Sequence, residues 1–182
     1  MKALVTGAAG FVGSHVSEAL LAQGAEVTGV DCFTDYYSRE LKERNLAALR
    51  AHPKFKFHEI ALQQADANSL LDGVDQVYHL AAQAGVRKSW GTDFRTYIDH
   101  NIDATQRLLE AAKGRSGLHR FVYASSSSVY GDVATIPMRE AIALGLAEEE
   151  KPVKEQKAAT KQAPKAKNKQ KAAPKNKAKG GK

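Results

Sequence analysis

Three glycines, Gly7, Gly10 and Gly13, are set between a strand-like and a helix-like segment, and they constrain this chain more than any other feature. Residues 2–6 (KALVT) form a short apolar run suited to a buried strand. Residues 12–23 carry apolar positions at helical spacing through Val16, Ala19, Leu20 and Leu21, and stop at Gly24. Glycine lets the backbone turn tightly and approach a ligand without an intervening Cβ. The helix that follows aims free N–H groups and the positive end of its dipole at whatever the loop holds. Taken alone, the glycines also fit a plain tight turn. The next strand-like run, residues 26–31 (EVTGVD), ends on Asp31, where a carboxylate accepts bonds from ribose hydroxyls and repels a 2′-phosphate. The loop, with Phe11 and Val12 between its last two glycines, and Asp31 together predict a dinucleotide site that favours NAD over NADP.

The pattern then repeats. Residues 39–51 read as a helix with Leu41, Leu46 and Leu49 on one side, closed by Pro53. Residues 54–62 alternate like a strand, residues 68–71 make a helical turn, and residues 75–82 (DQVYHLAA) form a fourth strand. A long helix over 94–113 and a fifth strand over 120–126 (RFVYASS) follow. Strands alternating with helices at this spacing imply βαβ units and a parallel sheet. The expected class is therefore α/β, a Rossmann-like doubly wound sheet of about five strands in the order 3-2-1-4-5. Ligands in such sheets sit at the carboxyl ends of the strands.

Charge divides the chain. Residues 151–182 hold twelve Lys and one acid, Glu155, a net of +11, whereas the whole chain is +7, which leaves residues 1–150 at −4. Beyond Lys151 the only large apolar residue is Val153, and Pro152, Pro164 and Pro174 interrupt helix formation. Such a segment cannot bury enough surface to offset its ordering entropy. The expected organisation is a dinucleotide-binding domain over 1–140, a helical or irregular junction over 141–150, and a disordered Lys/Ala/Pro-rich tail over 151–182. A single cysteine, Cys32, excludes an internal disulfide and a multi-cysteine metal site, and no metal is expected. No apolar run approaches the roughly 18 residues of a membrane span, so a cytoplasmic setting without membrane contact is expected.

At the glycine loop the chain begins to resemble the extended short-chain dehydrogenase/reductases, in particular the NAD-dependent nucleotide-sugar epimerases and dehydratases. The spacing Gly7-x-x-Gly10-x-x-Gly13 is followed in order by His79-Leu80-Ala81-Ala82, Tyr97-x-x-x-Asn101 and the serine run that leads into Val129-Tyr130-Gly131. Residues 31–41 (DCFTDYYSREL) are similar to the uronate 4-epimerase branch. The resemblance covers roughly residues 1–140. It implies that Ser126 is the active-site hydroxyl holding the reacting sugar oxygen, with Ser127 and Ser128 lining the substrate side. It also implies that Leu80, Ala81 and Ala82 run beside the cofactor and that Asn101 helps order the site. Arg87, just past strand four, is a candidate for a substrate phosphate or carboxylate. Each assignment has a plainer reading: a polar strand end for the serines, close packing for Ala81 and Ala82, a surface position for Asn101 and a solvated loop for Arg87. In relatives the long helix also packs into a homodimer.

The chain departs from the family in its acid/base pair. A Tyr-x-x-x-Lys pair should follow strand five, the Tyr serving as general acid/base and the Lys lowering its pKa. None of the six tyrosines has Lys four residues later: Tyr36, Tyr37, Tyr78, Tyr97, Tyr123 and Tyr130 are followed there by Glu40, Leu41, Ala82, Asn101, Ser127 and Ala134. Ala61 also stands where the family usually has an Asp that reaches the adenine. The sequence therefore reads as the NAD-binding portion of a nucleotide-sugar (UDP-sugar) epimerase, without the means for full catalysis alone. A second reading assigns function to the basic tail, as a contact to nucleic acid or another polyanion. A solubilising tail or a joined sequence explains the same composition. Twelve lysines should give weak, sequence-independent binding that falls steeply with salt. Titrating duplex DNA at two salt concentrations checks this, and absence of salt-dependent binding removes the polyanion reading.

Overall fold

The computed structural model describes residues 1–131; the expected junction over 141–150 and tail over 151–182 lie outside them. Residues 1–125 form one compact unit, and a second begins at Ser126. In the first unit, five parallel strands, β1 (Lys2–Thr6), β2 (Glu26–Asp31), β3 (Phe55–Glu59), β4 (Gln76–His79) and β5 (Arg120–Tyr123), form one sheet in the order β3-β2-β1-β4-β5. This is the expected doubly wound arrangement, with β1 at the centre.

Period-two alternation sends β1 side chains to two cores. Ala3 and Val5 join Val27, Phe55, Leu20, Leu21, Leu46 and Leu49 on the face covered by α1 (Phe11–Ala22) and α2 (Arg39–Arg50). Leu4 joins Val30, Val77, Leu62, Leu71 and Leu108 on the other face, under α3 (Ala67–Leu70) and α5 (Ala104–Ala112). Burial on both faces accounts for the nearly continuous apolar character of β1.

The helices bury different stripes from those the sequence suggested. On α2 the buried residues are Lys42, Leu46 and Leu49, while Leu41 is exposed. Leu41 lies five residues from Leu46 and so falls well off the i, i+4, i+7 face. On α1, Ala19 faces solvent, and the small residues Gly13, Ser14 and Ser17 are buried with Leu20 and Leu21. Small side chains there let the helix lie close to the glycine loop.

The helix expected over 94–113 is interrupted in the middle. It runs as α4 (Phe94–Tyr97), a π-helical turn over Ile98–Asp103, and then α5. Such π turns insert one extra residue and often mark functional positions.

In the second unit, Ser127–Tyr130 forms a 3₁₀ turn, and Ser126 Oγ accepts the N–H of Ser128 at 3.2 Å.

Adjacent residues on α5 give a direct check of this packing. Leu108 is fully buried and Leu109 is 49% exposed. Leu108→Ala is expected to cost about 2–5 kcal/mol in urea unfolding, and Leu109→Ala no more than about 0.5 kcal/mol.

Candidate functional site

At the carboxyl ends of β1, β2 and β4 the structure places a cleft of about 310 Å³. Its lining brings together nine of the residues singled out from the sequence: Gly7, Gly10, Phe11, Val12 and Gly13 of the loop, Asp31 at the end of β2, and Leu80, Ala81 and Ala82 after β4.

The glycines are required by close backbone packing. Gly7 has φ +72°, and a Cβ there would stand 2.9 Å from the Ala81 backbone nitrogen. A Cβ on Gly13 would collide with the Gly7 carbonyl. The loop can therefore pass between β4 and α1 only with no side chain at positions 7 and 13.

The helix end is free to receive a ligand. The Gly10 N–H bonds the Gly7 carbonyl and the Ser14 N–H bonds the Gly10 carbonyl. No side chain caps α1 and no acid stands in its first turn. The positive end of the helix thus faces the cleft without a countercharge of its own, as an anionic pyrophosphate requires.

A buried polar chain sets the floor of the cleft. Thr6 Oγ1 accepts the N–H groups of Leu80 and Ala81, both at 3.1 Å, and lies 2.7 Å from His79 Nδ1. Its two acceptor positions are thereby filled, so the hydroxyl proton goes to Nδ1. His79 then carries its proton on Nε2 and donates to Thr105 Oγ1 at 2.9 Å, and Thr105 donates to the Asn101 carbonyl at 2.8 Å. Burial holds the His79 pKa below its ordinary value, consistent with a neutral ring.

Asn101 does not line the cleft. Its Oδ1 accepts the Gln83 N–H at 2.7 Å and its Nδ2 donates to the Gln83 carbonyl at 3.0 Å. One turn earlier, Tyr97 donates its hydroxyl to the Ala84 and Gly85 carbonyls. The Tyr97-x-x-x-Asn101 spacing thus places two side chains on one helical face, and both grip the segment after β4. Gln83 and Ala84 line the cleft, so Asn101 acts on it through them. Arg87 is exposed in a 3₁₀ turn over Val86–Lys88 and does not line the cleft either. Ser126, Ser127 and Ser128 belong to the second unit, where Ser126 caps its own turn.

Several lining residues were not singled out from the sequence, among them Thr34, Tyr36, Tyr37, Lys42, Gln63 and His100. The available signal for Lys42 was its register, four and seven residues before the buried Leu46 and Leu49. Gln63 donates to the Asp99 carbonyl, and its Oε1 is buried without a hydrogen-bond partner among the described residues. Cys32 is half-buried at the cleft, and burial followed by the neighbouring Asp31 charge raises its thiol pKa. Among the described residues no cluster suits a metal ion, and no helix is long and apolar enough to cross a membrane.

A glycine-loop cleft on a doubly wound sheet, with an acid ending the second strand, defines a dinucleotide-binding α/β protein of the Rossmann type. The chain belongs to the NAD dependent epimerase/dehydratase family, whose model matches residues 3–174. That match runs past the last of the sequence motifs and into the lysine-rich segment.

Among curated proteins, the chain is 51% identical over 133 residues to an uncharacterized UDP-glucose epimerase of Bacillus subtilis, covering 72% of this chain and 42% of that protein. It is 40% identical over 144 residues to a probable UDP-glucuronate 4-epimerase of Rhizobium meliloti, covering 78% and 42%. Among solved structures, the UDP-glucuronic acid 4-epimerase of Bacillus cereus, in complex with UDP-glucuronic acid and NAD, matches with TM-score 0.68 and 47% identity, covering 72% and 42%. The chain thus spans about two fifths of the length of these relatives.

The His79 chain has a consequence in acid. The ring's folded pKa is depressed below 6.5. Its contribution is therefore complete above that value and is lost as pH falls through the folded pKa, because only the unfolded chain takes the proton readily. Urea unfolding at several pH values should show stability declining below about 6.5. His79→Gln should be less stable at neutral pH, with a shallower acid slope.

Proposed function

We propose that this chain is the NAD-binding portion of a nucleotide-sugar epimerase acting on UDP-sugars. The observation that carries the reading is the convergence of the uncapped α1 terminus, the glycine loop and Asp31 on one cleft. The family assignment and the NAD and UDP-sugar complexes named for its relatives support it.

The residues present fit the cofactor. Gly7, Gly10 and Gly13 leave room for the pyrophosphate, and the N–H groups of Phe11, Val12 and Gly13 at the open helix end supply donors to it. Asp31 accepts from the adenosine ribose. Leu80, Ala81 and Ala82 form the wall along the cofactor's length, and Asn101 holds that wall in place through Gln83. When bound, NAD supplies reversible hydride acceptance at a sugar carbon. Ser126 is assigned to the sugar oxygen, Ser127 and Ser128 to the substrate side, and Arg87 to a substrate phosphate or carboxylate.

Catalysis by this chain alone is not expected, because no Tyr-x-x-x-Lys pair is present to move the proton. The domain division at residues 140 and 150 belongs to the same reading, with the cofactor unit ahead of the lysine-rich segment.

Calorimetric titration of NAD into the full chain, repeated with residues 1–150, tests this directly. Saturable one-site binding and a raised melting temperature are expected from both proteins. Absence of binding overturns the cofactor assignment. Turnover of a UDP-sugar at a rate comparable with full-length family members would overturn the catalytic part alone.

A further inference from the structure

The Thr6 hydroxyl has no spare hydrogen-bonding capacity. Oγ1 accepts the Leu80 and Ala81 N–H groups and donates to Nδ1 of His79. An alcohol oxygen has two acceptor positions and one proton, so all three are engaged. The Leu80 N–H has a second acceptor in the Thr6 carbonyl at 3.3 Å, whereas among the described residues the Ala81 N–H has Oγ1 alone. Ala81 is also the residue whose backbone nitrogen would lie 2.9 Å from a Cβ on Gly7. The His79 ring is therefore joined, through one hydroxyl, to the wall that faces the glycine loop.

A proton arriving at this ring has one place to go. Nε2 already carries hydrogen and donates to Thr105, so the added proton sits on Nδ1. Nδ1 then donates where it had accepted, and the Thr6 hydroxyl has to turn its own proton toward Leu80 or Ala81. Donor then meets donor at a buried position, an arrangement that costs the desolvation of an unmade bond. The segment leaving β4 relieves it by moving off Oγ1, and Leu80 and Ala81 line the cleft.

The surroundings of His79 supply no competing charge. It meets Thr6 from β1, Thr105 from α5 and the Phe121 ring from β5, at 6.3 Å between ring centres. In and beside the π-helical turn, Asp99 pairs with Arg95 and Asp103 with Arg107, while His100 lies 3.4 Å from Gln63 Nε2. Lys2 on β1, Arg120 and Tyr123 on β5, and Glu110 on α5 are exposed. Burial, without a charged neighbour, is what disfavours a proton on the ring.

We propose that Thr6 and His79 are positioning residues that make cofactor binding depend on one proton: the cleft holds NAD while Nδ1 accepts the Thr6 hydroxyl, and a proton on Nδ1 turns that hydroxyl against the wall and weakens the grip. The inference rests on the cofactor reading above. It differs from the loss of stability in acid, because the folded chain itself changes its affinity. The coupling is reciprocal: NAD resting against an ordered wall holds the proton off His79.

The test is calorimetric NAD affinity of the full chain from about pH 8 to about pH 5, at each pH where circular dichroism shows it folded. Affinity should be flat near neutrality and fall by up to about tenfold per pH unit once the ring titrates, the slope of a single proton. His79→Asn, whose Oδ1 accepts the Thr6 hydroxyl without titrating, should lose this fall. His100→Gln, which removes the other histidine at the cleft, should keep it. Thr6→Val should weaken NAD by about tenfold at neutral pH and flatten the profile, and Thr6→Ser should restore both. In histidine-labelled wild type, saturating NAD should move the His79 titration seen by NMR to lower pH.

An acid fall that survives His79→Asn, or one that His100→Gln removes, overturns the proposal. So does a folded wild type whose NAD affinity is the same in acid as at neutrality. A His79 titration that NAD leaves in place also overturns it, and that measurement needs no variant to fold. A wild type that does not bind NAD at neutral pH overturns the cofactor reading instead.

Discussion

The geometry of the cleft depends on one buried hydroxyl. Thr6, the last residue of the central strand, accepts two backbone N–H groups from the segment leaving β4 and gives its proton to His79. Those bonds bring Leu80 and Ala81 against the glycine loop so closely that Gly7 tolerates no side chain. The same chain continues through His79 and Thr105 to the π-helical turn that carries Asn101. One side chain thus ties the loop, the wall opposite it and the helix behind it into a single geometry. A buried network of this kind rigidifies a site only when every member is satisfied, and from Thr6 to the Asn101 carbonyl each donor finds an acceptor.

Strand order and the glycine-loop side of the cleft with Asp31 were legible in the sequence, because they follow from apolar periodicity and from glycines in a fixed context. Strand ends were less legible, for a common reason. β3 was expected over 54–62 and ends at Glu59, β4 was expected over 75–82 and ends at His79, and β5 was expected over 120–126 and ends at Tyr123. Ile60 and Leu62 still pack into the core beyond β3, so the apolar pattern continues after backbone pairing has stopped. Pairing is limited by the partner: Thr6 is in register with His79, and His79 with Tyr123. A hydropathy pattern describes one segment and carries no information about the length of its neighbour.

The site residues divide along similar lines. Glycines and Asp31 announce themselves by spacing, whereas Lys42 looks like one more charge on a polar helix until its register is compared with Leu46 and Leu49. Asn101 was linked to the cofactor site by resemblance, and the structure gives it an indirect role: its amide is spent on the Gln83 backbone. The π-helical turn left no clear trace, since an extra residue in one turn hardly disturbs a periodicity read over twenty positions.

The central position of β1 also bears on when the cleft comes into being. β1 is made first, yet Thr6 meets His79 only across 73 residues of intervening chain, and β2 can pair with β1 long before β4 exists. Contacts this distant in sequence close late, because the entropy of the loop must be overcome before they reward it. During synthesis the glycine loop and Asp31 emerge before the segment after β4 that forms the opposite wall of the cleft. A nucleotide therefore meets a finished cleft only after the chain has grown past β4, and recognition of the ligand doubles as a report that the non-local half of the sheet has closed.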